Sequence, residues 1–316
     1  MEYRPLGKSG LRVSAVGLGC NNFGMKIDKD ATAVVVNKAI DSGITLFDTA
    51  DVYGGTKSEE FLGAALGDRR KRVVIATKFG FGPIVGDDAA TKGGSRRWIM
   101  RACEDSLRRL GTDYIDLYQY HTPDANTPMD ETLRALDDLV HQGKVRYIGS
   151  SNLAGWQVAD AEWIARAHNL TRFVSAQNQY NLLDRSVEKE LAPACRKYGI
   201  GILPYFPLAS GFLSGKYRRG SPPPEGTRLA LWGRRGEAIM SEGNFGILEK
   251  LEGFAQARGK TMLDLAFGWL LSHDYVPSVI AGATTPEQIE ANVAAGEWRL
   301  AEDEMTQVDA LLEGEE

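Results

Sequence analysis

The chain has 316 residues, 43% of them hydrophobic and 25% charged, the makeup of a folded globular protein with room for one large α/β barrel or two ordinary domains. Its net charge of −5 sets up no field favouring nucleic acid or an anionic membrane, and no apolar run reaches the roughly 18 residues of a membrane span. Cys20, Cys103 and Cys195 are odd in number and far apart, which argues against a disulfide framework, and Met1-Glu2-Tyr3-Arg4-Pro5 lacks the apolar core of a signal peptide, so the chain reads as a reduced, cytoplasmic protein.

Residues 1 to about 20 read as a small hairpin and then a strand. Lys8-Ser9-Gly10 is turn chemistry between Tyr3-Arg4-Pro5-Leu6 and Leu11-Arg12-Val13, and 13–18 is the first expected buried strand. Gly17-Leu18-Gly19 is too little for a dinucleotide fingerprint. The third glycine of that pattern does not arrive at the required spacing, so a Rossmann first domain is rejected. Apolar residues at helical spacing (Ala33, Val36, Ala39, Ile40) predict a helix over 30–41, which Ser42-Gly43 ends. The second strand is expected over 44–47, then a helix over 58–66 that opens on Glu59 and Glu60, acids suited to a helix N-terminus. The third strand, 73–77, runs straight into Lys78. A Gly-rich loop from Phe79 to Gly94 follows, long enough to suggest a functional role.

The alternation continues to the end of the chain. Strands are expected over 114–120, 145–149, 173–177, 200–204 and 276–280. Helices are expected over 95–110, 128–141, 153–167, 187–198, 245–258, 263–271, 287–294 and 302–312. Eight apolar, β-branched strands, each followed by a helix, predict a parallel α/β fold closed as a (β/α)8 TIM barrel, with an N-terminal β-hairpin and extra C-terminal helices. The runner-up is a doubly wound open sheet. No linker divides the chain, so 1–316 reads as a single domain, and Pro222-Pro223-Pro224 as a loop excursion.

In such a barrel the active site lies at the C-terminal ends of the strands. Asp48 and Tyr53 follow the second strand, Lys78 the third and His121 the fourth. Ser151 and Asn152 follow the fifth, Gln177 ends the sixth, Tyr205 follows the seventh, and Gly282-Ala283-Thr284-Thr285 the eighth. Each has a bland reading on its own: Asp48 or Asp51 as a helix cap, Lys78 as a surface cation, His121 as a satisfied loop histidine. Their collection at one rim favours a site.

Asp, Tyr, Lys and His together suit one kind of chemistry. No Gly-x-Ser-x-Gly elbow is present, and a lone histidine at this rim makes metal binding poor, so no metal is expected. Tyr53 is a candidate general acid whose ordinary pKa, about 10, is high for proton transfer near neutrality. A neighbouring Lys78 ammonium would lower it, Asp48 would hold and ionise Lys78, and His121 could hydrogen-bond and orient a substrate oxygen. The set suits protonation of an alkoxide as it forms from a carbonyl accepting hydride, and hydride requires a cofactor.

These residues resemble the aldo-keto reductase superfamily over nearly the whole chain. The resemblance rests on Phe47-Asp48-Thr49-Ala50-Asp51-Val52-Tyr53-Gly54, Lys78, Arg109-Leu110-Gly111-Thr112-Asp113-Tyr114-Ile115-Asp116-Leu117, His121 and Gly149-Ser150-Ser151-Asn152. It continues in Gln177-Asn178-Gln179-Tyr180-Asn181, in Pro207-Leu208-Ala209-Ser210-Gly211-Phe212-Leu213-Ser214-Gly215-Lys216-Tyr217, and in Gly282-Ala283-Thr284-Thr285-Pro286-Glu287-Gln288 with Asn292. The loops are most similar to those of the bacterial enzymes and the potassium-channel β-subunit branch. The resemblance implies a catalytic tetrad of Asp48, Tyr53, Lys78 and His121 with Tyr53 as proton donor, and the intact histidine implies an active enzyme. By the same resemblance Ser151, Asn152 and Gln177 hold the nicotinamide carboxamide and Tyr205 stacks on its ring. Phe206, Pro207, Leu208 and Ser210 line the pyrophosphate belt, with Cys20 and Asn21 approaching from the first loop. Gly282, Thr284, Gln288 and Asn292 complete the cofactor set.

Lys216 and Arg228 stand where the channel-subunit branch has basic contacts to the 2′-phosphate, while Gln288 replaces the arginine and Ala291 the glutamate of other branches. NADPH (NADP+) is therefore favoured over NADH, with some NADH use allowed. The expected partner is a small-molecule carbonyl substrate, with no nucleic acid and no membrane. Nothing in the sequence separates a monomer from a homo-oligomer. The alternative is an NADP(H)-sensing regulatory protein of the same fold with little turnover. Phe23, Phe81, Trp98 and Trp232 are expected to line the substrate pocket, and Asp51 is read as a loop or pocket-rim residue.

Overall fold

The computed structural model describes residues 1–81 and 93–312. Of the expected Gly-rich loop from Phe79 to Gly94, residues 82–92 lie outside the described residues. The chain opens with β1 (Tyr3–Pro5) and β2 (Arg12–Ser14), an antiparallel hairpin. Its turn needs Gly7: φ is +57°, and a Cβ there would come within 2.5 Å of the Gly199 carbonyl oxygen. The strand expected over 13–18 is divided. Arg12–Ser14 extends the hairpin, Ala15 N bonds Glu2 O at 2.9 Å, and only at Val16 does the chain enter the barrel.

The barrel strands are β3 (Val16–Gly19), β4 (Leu46–Asp48), β5 (Val74–Phe79), β6 (Ile115–Tyr120), β7 (Val145–Ser151), β8 (Phe173–Gln179), β9 (Gly201–Tyr205) and β10 (Val279–Gly282). They form one parallel sheet in the order β10-β3-β4-β5-β6-β7-β8-β9. β9 and β10 lie together at the seam, where Ile202 N donates to Tyr275 O at 2.7 Å, so the sheet is a nearly closed (β/α)8 TIM barrel.

Side chains alternate across these strands, and that alternation sets the layers. Leu46, Val74, Ala76, Leu117, Leu203 and Ile280 form an inner core, which Leu6 and Val13 of the hairpin join. Phe47, Ile75 and Tyr118, one residue out of phase, join the larger outer core beneath the helices. The barrel is thus packed solid at its N-terminal end.

The outer ring is α1 (Lys29–Asp41), α2 (Lys57–Leu66), α3 (Arg96–Leu110), α4 (Met129–His141), α5 (Gly155–His168), α6 (Leu191–Tyr198), α7 (Arg228–Leu231), α8 (Arg234–Ile239), α9 (Glu242–Gln256), α10 (Met262–Ser272), α11 (Pro286–Ala295) and α12 (Glu302–Leu312). Two differ from expectation. The helix over 187–198 becomes a 3-10 turn, Ser186–Glu188, followed by α6, whose Pro193 has no N–H to donate and therefore sits in the first turn. The long segment after β9 folds α7 and α8, two short helices that the sequence pattern did not reveal. No helix among the described residues is long and apolar enough to cross a membrane.

Candidate active site

The period of two that puts Leu46, Ala76 and Leu117 inside the barrel also puts Asp48, Lys78 and Gln119 inside, one layer higher. His121 continues the same phase past β6. Above the apolar core, three strands therefore converge on a polar floor. Lys78 is fully buried, and its Nζ donates to Asp48 Oδ2 at 2.7 Å, to Thr49 O at 2.8 Å and to Tyr53 OH at 3.5 Å. The other carboxylate oxygen of Asp48 accepts from Gln177 Nε2 at 2.8 Å and Gln119 Nε2 at 3.2 Å. Both oxygens of this buried anion are thus answered by a donor, as burial requires.

The turn that brings Tyr53 back over Lys78 is fixed by its backbone. Thr49 N bonds Ala76 O at 2.8 Å and Asp51 N bonds Lys78 O at 3.2 Å. Gly54 closes it at φ +60°, where any Cβ would lie 2.4 Å from the Phe23 carbonyl oxygen. The Tyr53 and His121 rings meet edge to face, 6.0 Å between centroids.

Electrostatics assign the protonation states. Burial alone would lower the Lys78 pKa, but Asp48 and Tyr53 outweigh it and hold Lys78 above its ordinary value, as an ammonium. For Tyr53 the expectation needs correction. Lys78 does pull the phenol down, but burial pushes harder, and the pKa stands raised. The reason is that the hydroxyl sits at the enclosed floor, with Lys78 at the outer limit of hydrogen bonding. Tyr53 therefore keeps its proton at neutral pH. Burial, with Lys78 beside it, lowers His121 to about 3, so its imidazole is neutral.

A cavity of about 1410 Å³ opens above this floor. Asp48, Tyr53, His121, Ser151, Asn152, Gln177 and Tyr205 line it at one end. Asn152 sits at φ +59°, and its Nδ2 donates to His121 O at 2.8 Å and Ser151 Oγ at 3.1 Å while its Oδ1 accepts from Tyr205 OH at 2.8 Å. One side chain thus ties the ends of β6, β7 and β9. Phe206, Pro207, Leu208 and Ser210 form a lip, and Phe206, Ala209 and Ser210 all hold positive φ (51°, 45° and 63°). Three strained residues in five mark a segment shaped for contact, not for stability. Asn21, Gly282, Thr284, Gln288 and Asn292 line the cavity too, with Gln288 Oε1 already taken by Thr284 N at 2.8 Å.

Lys216 and Arg228 line the cavity, and Lys26, from the loop after β3, joins them. Burial and the neighbouring cations lower Lys216 and Lys26, and burial lowers Arg228. Among the described residues none of the three has a carboxylate for a partner. Repelling cations held together without a counter-ion form a place for a multiply charged anion.

Other expectations fare differently. Cys20 is buried, its thiol turned to Leu18 O at 3.6 Å, and it does not line the cavity. Phe23 and Trp98 belong to the core and Trp232 packs against it and on Phe206, so of the four expected pocket aromatics Phe81, whose ring lies 4.8 Å from that of His121, is the one that lines the cavity. Asp51 is no rim residue. It is 1% exposed, its carboxylate oxygens have no hydrogen-bond partner, and burial with Glu59 nearby raises its pKa to about 8. Gln119 was missed, although the alternation Leu117, Gln119, His121 marks it as inward-facing. Lys26 carries no comparable signal, because its loop has no period.

Residues 15–313 match the Aldo/keto reductase family. The chain is 37% identical to a Bacillus subtilis (strain 168) protein named "Uncharacterized oxidoreductase YrpG", over 99% of this chain and 97% of that one. It is also 37% identical to versiconal hemiacetal acetate reductase of Aspergillus parasiticus, over 96% of this chain and 95% of that one. The chain belongs to the aldo/keto reductase family: it is an oxidoreductase acting on carbonyl groups, of a family that works with nicotinamide cofactors.

Proposed function

We propose that the protein reduces aldehydes or ketones to alcohols with NADPH, reversibly, and that Tyr53 is the proton donor. The observation that carries this reading is the chain of contacts from Asp48 through Lys78 to Tyr53, with neutral His121 beside it on the floor of the cavity. The donor set fits a nicotinamide dinucleotide. Amide and hydroxyl groups of Ser151, Asn152 and Gln177 and the Tyr205 ring suit the nicotinamide end, and the unpaired Lys26, Lys216 and Arg228 suit phosphates. The cofactor, when bound, supplies hydride to the carbonyl carbon.

The protein's own residues do the rest. His121, neutral, orients the carbonyl oxygen by a hydrogen bond. Tyr53, still protonated, transfers its proton to that oxygen as negative charge develops there. The phenolate left behind is stabilised by the Lys78 ammonium, whose own charge Asp48 holds in place. Solvent protons then restore Tyr53. The preference for NADPH rests on the three cations, because a 2′-phosphate adds about two negative charges at neutral pH and a ribose hydroxyl adds none. The cysteines are buried free thiols, which suits a reduced, cytoplasmic setting.

The test is the decay of NADPH absorbance with a generic aldehyde such as 4-nitrobenzaldehyde. Turnover that follows protein concentration is expected. Tight NADPH binding without turnover would support a cofactor-sensing role instead.

A further inference from the structure

Arg228 is held at the cavity by aromatic rings. Its guanidinium makes no hydrogen bond or ion pair among the described residues; it lies 5.3 Å from the centre of the Phe206 ring and 5.9 Å from that of Trp232. The two rings meet edge to face at 5.9 Å, so the three groups close a triangle. One turn of helix builds it. Arg228 opens α7 and Trp232 follows its last residue, with Trp232 N bonded to Arg228 O at 3.1 Å. Residues four apart share a helix face, which sets the indole beside the guanidinium. Leu229 anchors the turn in the core, and Gly236 lets α8 close against it, because any Cβ there would strike the Leu229 carbonyl. Arg228 and Phe206 line the cavity, whereas Trp232 is half-buried behind them and does not.

An arginine that a ligand must fix loses its rotamer freedom on binding. A partner that already holds it removes that cost before the ligand arrives. A carboxylate would do so too, but an incoming anion would have to compete with it. Rings attract the cation without neutralising it, so the charge stays available to a phosphate. Phe206 also meets Tyr205 edge-on at 5.3 Å, which ties it to the part of the site that any nicotinamide dinucleotide would use. Trp232 has no such second role.

We infer that Trp232, uncharged and outside the cavity, is a positioning residue that sets the preference for NADPH over NADH by holding Arg228, with Phe206, in place for the 2′-phosphate. This rests on the NADPH reading above.

The test titrates NADP+ and NAD+ into each protein by calorimetry, which needs neither turnover nor the fluorescence of the indole. Trp232→Leu should raise the Kd for NADP+ relative to that for NAD+ by about three- to thirtyfold, the span of cation–π contacts from exposed to desolvated sites. Trp232→Phe, which keeps an aromatic face, should recover most of that loss. Arg228→Ala should raise the ratio at least as far, and adding Trp232→Leu to it should then change the ratio by less than about twofold, because the group that Trp232 positions is gone. Equal losses for the two dinucleotides in Trp232→Leu would make Trp232 a purely structural residue and overturn the inference. So would a selective loss that persists in the Arg228→Ala background, which would route the effect through Arg235, 4.4 Å from the same indole. In both cases a selective loss in Arg228→Ala alone would leave the NADPH reading standing. An unchanged ratio in Arg228→Ala would remove Arg228 from the 2′-phosphate, and this inference with it.

Discussion

Replacing Asp48 by asparagine keeps the shape of the side chain and removes its charge. Lys78 would retain Thr49 O at 2.8 Å and Tyr53 OH at 3.5 Å, but its 2.7 Å carboxylate would be gone. The remaining amide cannot satisfy its neighbours. Turned with its oxygen to Lys78, it points NH2 at the amide nitrogens of Gln119 and Gln177, which now donate to Asp48 Oδ1. Breaking one partner from a buried ion pair costs about 3–5 kcal/mol. At about 2 °C of Tm per kcal/mol for a chain of this size, the loss is about 6–10 °C, readable by calorimetry or far-UV circular dichroism. The sign with pH follows from Lys78. With Asp48, its folded pKa is raised, so the stabilisation is complete below the unfolded value of about 10.4 and is lost only as pH climbs through the folded one. Without Asp48, burial lowers the folded pKa, and the penalty is full at low pH and eases as pH rises toward about 10.4. The Tm gap between the two proteins should therefore be widest near pH 6 and shrink toward pH 10. The variant's kcat should fall at least about 100-fold, because Lys78 no longer holds a charge beside Tyr53. A gap below about 2 °C, or one that does not change with pH, would refute the claim that Asp48 exists to keep Lys78 charged.

Other expectations follow from the same geometry. Tyr53→Phe should lower kcat by about 10²–10⁴-fold while leaving the Kd for NADPH within about threefold, measured by quenching of protein fluorescence; retention of more than a tenth of the rate would remove Tyr53 as proton donor. Lys26→Ala should weaken NADPH binding more than NADH binding, by a factor of about 5–20 in the ratio of Kd values; an equal effect on both would place Lys26 away from the 2′-phosphate. Asp51→Asn should raise Tm, because ionising Asp51 in its buried site is unfavourable. With the folded pKa raised to about 8, the wild-type stability declines as pH rises from about 4 to 8 and then levels. The gain from the asparagine should accordingly be near zero at pH 4 and largest above pH 8, and a gain independent of pH would mean that Asp51 is not the group titrating.

The barrel and the gathering of Asp48, Lys78 and His121 at one rim were legible because both follow from strand periodicity. Alternation along Leu46–Asp48 and Val74–Phe79 fixes which residues face inward, and the strand ends fix which of those are polar. What periodicity does not reach was not legible. Ala15 marks a change of partner, from Glu2 to the barrel, that leaves no mark in composition. Phe23 and Trp98 look like pocket aromatics because they flank loops, but packing turned both into the core. Asp51 lies three residues from Asp48 and looked equally exposed, yet the turn that lifts Tyr53 over Lys78 turns Asp51 under α2. Lys26 and Arg235 reach the cavity from segments without a period, so only tertiary structure places them there.

The hairpin that fills the lower barrel with Leu6 and Val13 makes the interior a cul-de-sac. A blind passage imposes an order of arrival and departure. Whatever rests against Ser151, Asn152 and Gln177 occupies its closed end, so it must come first and go last, and a second molecule can only queue behind it. The slow step of a full cycle is then free to lie in the exit of the inner occupant, and the strained segment 206–210, whose Phe206 and Ser210 line the cavity, becomes a place where mutation changes turnover without touching Asp48, Lys78 or Tyr53.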